Sequence, residues 1–196
     1  MSVLAILGAG QHAKVVADAA LCSPSITGVV FYSDGEGEDL VAGNTQDLML
    51  DHHKYIGVVV GIGNNEIREA KYKELQVAKV PFATVIHPSA IVSASASIGE
   101  GAVVLAGVVV NSGAKITANC IINTGCIVEH DCLLNESVHL SPGVVLGGGV
   151  VIGWLCWIGI GVLVKNGICL ASDVVVGVGG VVIADLKNAG VYVGVP

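Results

Sequence analysis

Aliphatic residues recur at every sixth position from Ile86 to Val182 without an interruption. A period of six fits neither an α-helix, with about 3.6 residues per turn, nor a half-buried strand, whose faces alternate every second residue. It is the hexapeptide period of a parallel β-helix, in which three hexapeptides make one triangular coil. The seventeen members of the series are Ile86, Val92, Ile98, Val104, Val110, Ile116, Ile122, Val128, Leu134, Leu140, Leu146, Ile152, Ile158, Val164, Leu170, Val176 and Val182.

The repeat also predicts which way each side chain points. The first and fifth residues of a hexapeptide should face the interior, and the third and sixth should face outward. Residues one coil apart should stack at about 4.8 Å, the spacing of paired strands. Four cysteines take the fifth position, so we expect small buried apolar residues there. These cysteines are Cys120, Cys126, Cys132 and Cys156.

The chain before the repeat has a different pattern. Strands are predicted at Val3–Leu7, Thr27–Tyr32 and Tyr55–Val60, and helices at Lys14–Leu21 and Glu66–Val77. This order is a βαβ pattern and indicates a small parallel sheet of Rossmann-like topology. We therefore divide the chain into a Rossmann-like domain at residues 1–82 and a β-helix domain with a short C-terminal tail at residues 83–196.

A glycine-rich turn follows the first predicted strand. Gly8-x-Gly10-x-x-Ala13 matches the dinucleotide fingerprint in its alanine variant, and Asp34 stands roughly where the ribose-binding acid belongs. Glycines let the backbone approach a diphosphate, and the following helix N-terminus supplies N–H groups. The short segment suits a mononucleotide or nucleotide-sugar diphosphate better than a dinucleotide; a tight turn without a ligand is the alternative.

Charge and hydropathy exclude several classes of protein. The formal net charge is -7 and no basic run occurs, so nucleic acid is not an expected partner. No basic n-region precedes the first apolar run, which predicts a cytoplasmic protein with reduced cysteines. The uncharged stretch from Leu140 to Val164 contains seven glycines and keeps the six-residue period, so no transmembrane segment is expected. Glu36, Glu38 and Asp39 are expected to form a solvated turn.

Two histidines occupy outward positions of neighbouring hexapeptides. His130 lies third in its hexapeptide, between Glu129 and Asp131, and Gly148 stands one coil above it; His139 lies sixth in the next hexapeptide. We therefore expect both histidines on the surface of a rigid scaffold. They are half a coil apart, so about 15 Å should separate them across the prism. One chain cannot bring both to one site, which predicts a site between the subunits of a cyclic trimer.

Several motifs together resemble the bacterial nucleotide-sugar 4-amine N-acetyltransferases, a family that includes sialic acid O-acetyltransferase-like proteins. The resemblance covers the whole chain and implies a left-handed β-helix, a homotrimer, acetyl-CoA as donor without a metal, and a UDP-linked 4-amino sugar as acceptor for surface glycan synthesis. The motifs are Gly8-Ala9-Gly10-Gln11-His12, Ile62-Gly63-Asn64-Asn65-Glu66-Ile67-Arg68, Ile86-His87-Pro88-Ser89-Ala90, Ile122-Asn123-Thr124, Val128-Glu129-His130-Asp131-Cys132, His139-Leu140-Ser141-Pro142-Gly143 and Gly190-Val191-Tyr192-Val193-Gly194-Val195-Pro196.

The resemblance also implies roles for individual residues. His130 would be the general base, with Asp131 or Glu129 orienting it, and His139 would face the thioester of the coenzyme. The sugar pocket would include Asn123, and the coenzyme groove would be lined by Gly148, Ile160, Val178 and Gly179. The nucleotide would be held by Gly8, Gly10, His12, Asp34, Gly63 and Asn64. Trp154 departs from the polar residue usual at such a corner, and its role stays open between a coenzyme contact and a partner contact.

Several alternative functions share part of this sequence pattern. Within the class, the alternatives are N-acetylation of a GDP-linked amino sugar and O-acetylation of a sialic acid. A γ-type carbonic anhydrase has the same fold but needs three zinc histidines, and only His130 and His139 are suitably placed. A non-catalytic nucleotide-binding scaffold would bind UDP without a response to acetyl-CoA. A nicotinamide dehydrogenase is disfavoured because no catalytic domain remains after the fingerprint.

Overall fold

The computed structural model describes residues 2–35 and 41–195, so the predicted acidic turn at Glu36, Glu38 and Asp39 lies outside the described residues. The N-terminal unit is a parallel three-stranded sheet of order β2-β1-β3, as the βαβ pattern predicts. Its elements are β1 (Val3–Leu7), α1 (Gln11–Leu21), β2 (Gly28–Tyr32), α2 (Thr45–Asp51), a 3-10 turn (His52–Lys54), β3 (Val58–Val60) and α3 (Asn65–Val77).

Two helix starts in this unit differ from the sequence prediction, and local capping explains both. Helix α1 begins at Gln11, three residues before the predicted start, because Gly10 already adopts the extended N-cap conformation. Helix α2 was not predicted. The Asn44 side chain accepts the backbone N–H of Asp47, whose carboxylate accepts the N–H of Asn44 in return. This reciprocal capping box stabilises a helix of only seven residues.

The rest of the chain is the predicted parallel β-helix, built from three sheets. We call them sheet I (β4, β7, β10, β13, β16, β19, β21), sheet II (β5, β8, β11, β14, β17, β20) and sheet III (β6, β9, β12, β15, β18). In chain order the strands are β4 (Val85–Ile86), β5 (Ile91–Val92), β6 (Ser97–Ile98), β7 (Val103–Val104), β8 (Val109–Val110), β9 (Lys115–Ile116), β10 (Ile121–Ile122), β11 (Ile127–Val128), β12 (Leu133–Leu134), β13 (His139–Leu140), β14 (Val145–Leu146), β15 (Val151–Ile152), β16 (Trp157–Ile158), β17 (Leu163–Val164), β18 (Cys169–Leu170), β19 (Val174–Val176), β20 (Val181–Val182) and β21 (Gly190–Tyr192).

The interior of the β-helix follows the hexapeptide prediction. Residues at the first and fifth positions form one continuous core, which includes all four cysteines assigned to it. Ile86 is an exception at 40% exposure, because it lies in the first coil, at one end of the core. The strand register pairs residues 18 apart, such as His139 with Trp157. The stacking of outward residues in columns is therefore confirmed.

Each corner of the coils from residue 101 to residue 179 contains one residue with positive φ, every six residues. Nine of these fourteen residues are glycine, which adopts this conformation without steric cost. Four of the five others share a single column, at the corner between sheets III and I. We call this column, which consists of Gly101, Asn119, Ser137, Leu155 and Asp173, the docking corner.

The N-terminal unit packs on sheet I and on the docking corner. Helix α1 lies against sheet I, where Val85 and Val103 are buried with the helix residues Ala13 and Val16. Helix α3 supplies the polar contacts to the docking corner. A large apolar and polar interface therefore connects the two parts of the chain, and the candidate site opens along its edge.

Candidate active site

A cavity of about 600 Å³ opens between the start of helix α3 and sheet I. It combines residues from both parts of the chain, among them His12 from helix α1 and His139 from strand β13. Three of the predicted nucleotide-binding residues, His12, Gly63 and Asn64, therefore meet His139, a predicted coenzyme residue, in one place. The lining residues are His12, Gly63, Asn64, Asn65, Glu66, His139, Leu155, Trp157, Asp173 and Val175.

His139 is buried, so the prediction of a surface histidine is wrong. Its side chain points out of the β-helix, as its sixth position requires, but the N-terminal unit covers it and leaves the residue 9% exposed. The His12 ring lies 6.1 Å away, centroid to centroid. The error arose because the hexapeptide pattern reports direction relative to the β-helix and contains no information on what packs against its outside.

Both histidines of this pair are neutral near pH 7. Burial, and then the positive charge of Arg68, lower the pKa of His12 to about 4. Burial, Arg68 and His12 lower the pKa of His139 to about 3, against a smaller opposing effect of a hydrogen bond with the Gly63 backbone. Two neutral imidazoles can donate and accept hydrogen bonds to a polar ligand without presenting a fixed positive charge.

His139 has a second polar neighbour, Asn123. The Nδ2 atom of Asn123 lies 3.4 Å from Nε2 of His139, while its Oδ1 accepts the N–H of Thr124 at 2.8 Å. His12, in contrast, has a buried Nε2 atom without a partner among the described residues. An unsatisfied buried imidazole nitrogen beside a cavity marks a place where a bound ligand could supply the missing hydrogen bond.

The glycine-rich turn has the backbone geometry that its sequence predicts. Gly8 has a φ of 114°, and a β-carbon there would lie 3.0 Å from the Ile62 side chain, so only glycine fits without strain. Gly10 caps helix α1 without a side chain, which leaves the first N–H groups of the helix open. The turn therefore has the form of an anion cradle.

Asp34 already has partners within the protein. Its carboxylate accepts the backbone N–H of Thr45 at 2.8 Å and the Thr45 hydroxyl at 2.7 Å, and pairs with Lys71 at 2.6 Å. Partial burial alone would raise the pKa of Asp34, but these contacts outweigh it and lower the pKa to about 2. The ribose role implied by the resemblance would therefore require this carboxylate to exchange or share its present partners.

His130 lies apart from the cavity, at the corner between sheets II and III. Its Nδ1 atom is 2.9 Å from the Oδ2 atom of Asp131, and both side chains are exposed. The Glu129 carboxylate accepts the backbone N–H of His130 at 3.3 Å. The hydrogen bond with Asp131 raises the pKa of His130, with a smaller opposing effect of desolvation. Asp131 is thus the residue that contacts the ring, and Glu129 contacts the backbone.

Gly148 lies directly above the His130 ring, as the column prediction places it. A β-carbon at this position would lie 2.5 Å from Nε2 of His130. The other predicted coenzyme residues occupy the corner between sheets I and II: Ile160 and Val178 point outward with 54% and 75% exposure, next to Gly179 with a φ of 68°. Predicted site residues therefore lie in three separate places on one chain: the cavity, the corner with His130 and Gly148, and the corner with Ile160, Val178 and Gly179.

The interface between the two parts of the chain contains polar residues that the sequence analysis did not single out. Arg68 and Glu69, adjacent on helix α3, are both buried against the docking corner. Trp154, for which the sequence left a coenzyme contact or a partner contact open, makes a contact within the chain: its indole N–H donates to Glu69 at 3.4 Å. The sequence did contain an indication of this interface. Four residues of the docking corner are not glycine, although glycine is the residue that favours the left-handed backbone found there.

The structure also bears on metal binding and on membrane insertion. Across residues 2–35 and 41–195, no group of three or more His, Cys, Asp or Glu side chains is arranged to hold a metal ion. None of the helices in these ranges is long and apolar enough to cross a membrane.

The chain is similar to known proteins over nearly its whole length. Residues 3–75 match the family model described as PglD N-terminal domain. No protein in a search of curated sequences matches significantly. The acetyltransferase domain of PglB from Neisseria gonorrhoeae FA1090 is 35% identical, with a TM-score of 0.91 over 99% of this chain and 97% of that one.

Two other solved structures are similar to this chain, one at 35% and one at 20% sequence identity. PerB from Caulobacter crescentus, in complex with CoA and GDP-perosamine, is 35% identical, with a TM-score of 0.92 over 100% of this chain and 95% of that one. WeeI from Acinetobacter baumannii AYE is 20% identical, with a TM-score of 0.78 over 99% of this chain and 97% of that one, and shows a shared fold.

Proposed function

The chain belongs to the family of acetyl-CoA-dependent nucleotide-amino-sugar N-acetyltransferases, and from this premise we propose that it acetylates the 4-amine of a nucleotide-linked 4-amino-4,6-dideoxy sugar. The observation that carries the proposal is the full-length similarity, at 35% identity, to an enzyme solved with CoA and GDP-perosamine. The PglB domain has also been solved in complex with acetyl-CoA, which supports acetyl-CoA as the donor for this chain.

The nucleotide of the acceptor has two candidates. A UDP sugar follows from the resemblance of the sequence motifs. A GDP sugar is the second candidate, and the complex of PerB with GDP-perosamine favours it. In both cases the glycine turn at Gly8 and Gly10 would hold the diphosphate, and His12, Gly63 and Asn64 would form the wall of the sugar-nucleotide site.

The chemistry assigned to His130 is general base catalysis. The sugar amine attacks the thioester carbonyl of acetyl-CoA, a C–N bond forms, and the C–S bond breaks as the CoA thiolate leaves. His130 accepts the proton that the amine loses, which requires a neutral ring, and a backbone N–H in the groove would stabilise the oxyanion. The Asp131 carboxylate orients the ring and stabilises the imidazolium once the proton has moved.

A covalent acyl-enzyme is not needed for this transfer, and the nearest cysteine is poorly suited to form one. Cys132 follows the dyad directly in sequence, but its side chain points into the β-helix core and is 1% exposed. Burial raises the pKa of its thiol, so little thiolate forms near neutral pH. Direct attack by the amine is therefore the mechanism that we propose.

A homotrimer would complete the site. Sheet II carries an outward column of six aliphatic residues, none of which is buried; two of them, Ile91 and Leu163, are 67% and 47% exposed. An apolar stripe along an entire sheet is typical of a protein interface. The column consists of Ile91, Val109, Ile127, Val145, Leu163 and Val181.

A second copy of this chain is the partner that suits this face. Sheet II lies between the corner with Ile160 and Val178 and the corner with His130. Association through sheet II would therefore bring the dyad of one subunit towards the cavity and coenzyme groove of its neighbour. A cyclic assembly would repeat this contact at each interface, and every active site would contain residues of two subunits.

The direct test is an acetyl-transfer assay with acetyl-CoA and either a UDP-linked or a GDP-linked 4-amino-4,6-dideoxy sugar. Released CoA is measured with a thiol reagent, and the acetylated sugar by mass spectrometry. We expect turnover with one nucleotide series and a loss of about 10²- to 10⁴-fold in His130→Ala. His53→Ala, at an exposed histidine of the 3-10 turn, is the matched control. Absence of product with both nucleotides would overturn the proposed function.

A further inference from the structure

Arg68 is the most completely buried charged residue of the described chain, with 1% exposure. All five donors of its guanidinium group are used, and the acceptors come from both parts of the chain. The bonds are Nε to the Asn119 carbonyl at 3.1 Å, Nη1 to the Ile62 and Gly63 carbonyls at 3.2 and 3.3 Å, and Nη2 to Asn65 Oδ1 at 2.9 Å and to the Ser137 carbonyl at 2.8 Å.

These acceptors are neutral, which is unusual for a buried cation. Within the described residues, no carboxylate forms an ion pair with Arg68 inside 4.0 Å. Burial lowers its pKa to about 10, the charge of the neighbouring Glu69 opposes this effect, and the side chain stays charged near pH 7. A buried charge with no carboxylate in direct contact is seldom retained for stability alone, because apolar residues of similar volume often stabilise a core at least as well.

The bonds of Arg68 converge on the loop that forms one wall of the cavity. Gly63 lies beside His12, since a β-carbon on Gly63 would come within 3.6 Å of the His12 side chain, and it lines the same cavity as His139. Arg68 ties the carbonyls of this loop to two carbonyls of the docking corner. The same charge also favours the neutral form of both histidines.

We propose that Arg68 is a positioning residue of the reaction, which fixes the loop at Ile62 and Gly63 and the two cavity histidines in register with the β-helix. It does not contact the reacting atoms. It acts through the carbonyls of Ile62 and Gly63, and because Gly63 lines the cavity with His12 and His139, it sets the geometry of the acceptor site while leaving the coenzyme groove unchanged. The inference rests on the proposed function in one respect: it takes the cavity to be the binding site of the nucleotide sugar.

Kinetics of Arg68→Lys test the proposal. Lysine keeps the charge but replaces the five donors of the planar guanidinium with three on one nitrogen, so it cannot reproduce the set of bonds that joins the loop to the docking corner. We expect the KM for the nucleotide amino sugar to rise by about 10- to 100-fold, with the KM for acetyl-CoA changed by less than about twofold. An unchanged acceptor KM, or an equal rise in both constants, would overturn the proposal.

Lys73→Gln is the matched control. Lys73 also lies on helix α3 and pairs across the same interface with Glu136 at 2.6 Å, but it is half exposed and does not contact the loop. Both KM values should stay within about twofold of wild type, as exposed ion pairs contribute little. If Arg68→Lys does not fold, Asn65→Ala removes one Arg68 acceptor and the amide bonds to the Leu155 and Cys156 carbonyls, and should raise the acceptor KM in the same selective way.

A readout without substrate separates this inference from the proposed function. Long-range ¹H–¹⁵N spectra should show a single neutral tautomer of His139 in the wild type and exchange between tautomers in Arg68→Lys or Asn65→Ala. If the wild type transfers no acetyl group, the function fails while the spectra still test the positioning. Identical His139 spectra in wild type and both variants would overturn the positioning role even if the enzyme is active.

Discussion

The Nδ1 atom of His130 lies 2.9 Å from Oδ2 of Asp131, and Asp131 holds this position from a left-handed backbone with a φ of 60°. The same corner position one coil below and one coil above is glycine, at Gly113 and Gly149. A β-carbon at Gly113 would lie 2.6 Å from the Asp131 carboxylate. Asp131 thus replaces the glycine of its own column, and its side chain uses this position to contact the His130 ring.

The first prediction concerns the pH dependence of this dyad. The Asp131 carboxylate raises the pKa of His130. Asp131→Asn should therefore lower that pKa. Because the base is active when neutral, the acidic limb of the kcat profile should move to lower pH. The plateau should fall by roughly tenfold, since the ring loses the carboxylate that orients and stabilises it.

Asp131→Gly is the control for backbone strain in this experiment. It removes the same carboxylate and places glycine in a conformation that glycine adopts without steric cost, so it should be at least as stable as Asp131→Asn, whose asparagine also tolerates this conformation. Both variants should show the same shift of the acidic limb in a pH–rate series. A profile that stays at the wild-type position in both would show that Asp131 does not act on His130.

The second prediction concerns the space above the catalytic ring. In Gly148→Ala the new methyl group would lie 2.5 Å from Nε2 of His130, so the ring must rotate away from Asp131 or the backbone must shift. We expect a loss of kcat of about 10²-fold or more, since a displaced base cannot reach the amine. Position 148 is followed in its column by Asn166, so the backbone itself accepts a side chain there.

A double variant separates this steric effect from a general loss of stability. In His130→Ala/Gly148→Ala the methyl group meets no ring, and the substitution at 148 should change the free energy of unfolding by less than about 0.5 kcal/mol relative to His130→Ala. Urea denaturation gives both values. An equal destabilisation in the presence and absence of the His130 ring would contradict the steric explanation.

The third prediction concerns stability in mild acid. His12 and His139 have pKa values of about 4 and about 3 in the folded chain, against about 6.5 in the unfolded one. Between pH 6.5 and 4 the unfolded state therefore binds more protons than the folded state, and stability decreases as the pH falls. Each histidine should contribute a slope of about 1.4 kcal/mol per pH unit within this window.

Urea denaturation at pH 6.0, 5.25 and 4.5 measures this slope, with the protein concentration held fixed because subunit association affects stability. The exposed His130 has a raised pKa, so its own contribution to stability changes mainly above about pH 6.5; a His130→Ala background removes what remains of it near pH 6.0. In that background, His12→Gln/His139→Gln should lose most of the slope. A slope that survives both substitutions would mean that other groups titrate in this window.

The sequence determined the β-helix almost completely, because every coil repeats the same two inward positions and errors cannot accumulate in so regular a pattern. It also placed Gly148 above His130, since columns follow from counting. It could not show that His139 is buried, because its cover comes from the loop at Gly63, 76 residues earlier in the chain, and from helix α1, more than 100 residues earlier. Arg68 was missed for the same reason: charge on a helix predicts exposure, and only the docking corner provides the carbonyls that satisfy it.

The fourth prediction tests whether His130 and His139 of different subunits form one site. His130→Ala and His139→Ala should each reduce activity strongly as pure proteins. When the two variants are unfolded together at equal concentration and refolded, random trimers form. A mixed trimer has one interface that pairs an intact His130 with an intact His139 of its neighbour. Three quarters of the trimers are mixed, so about a quarter of all sites should be intact.

Recovery of about 25% of wild-type activity in the refolded mixture would support sites shared between subunits. The control is a mixture in which the variants are refolded separately and combined afterwards, which should stay inactive as long as subunits do not exchange. If both histidines of a site came from one chain, no mixed trimer could contain an intact site, and the co-refolded sample would show only the residual activity of the two variants. Sedimentation analysis of the same samples should show a single trimeric species, stabilised by the apolar column on sheet II.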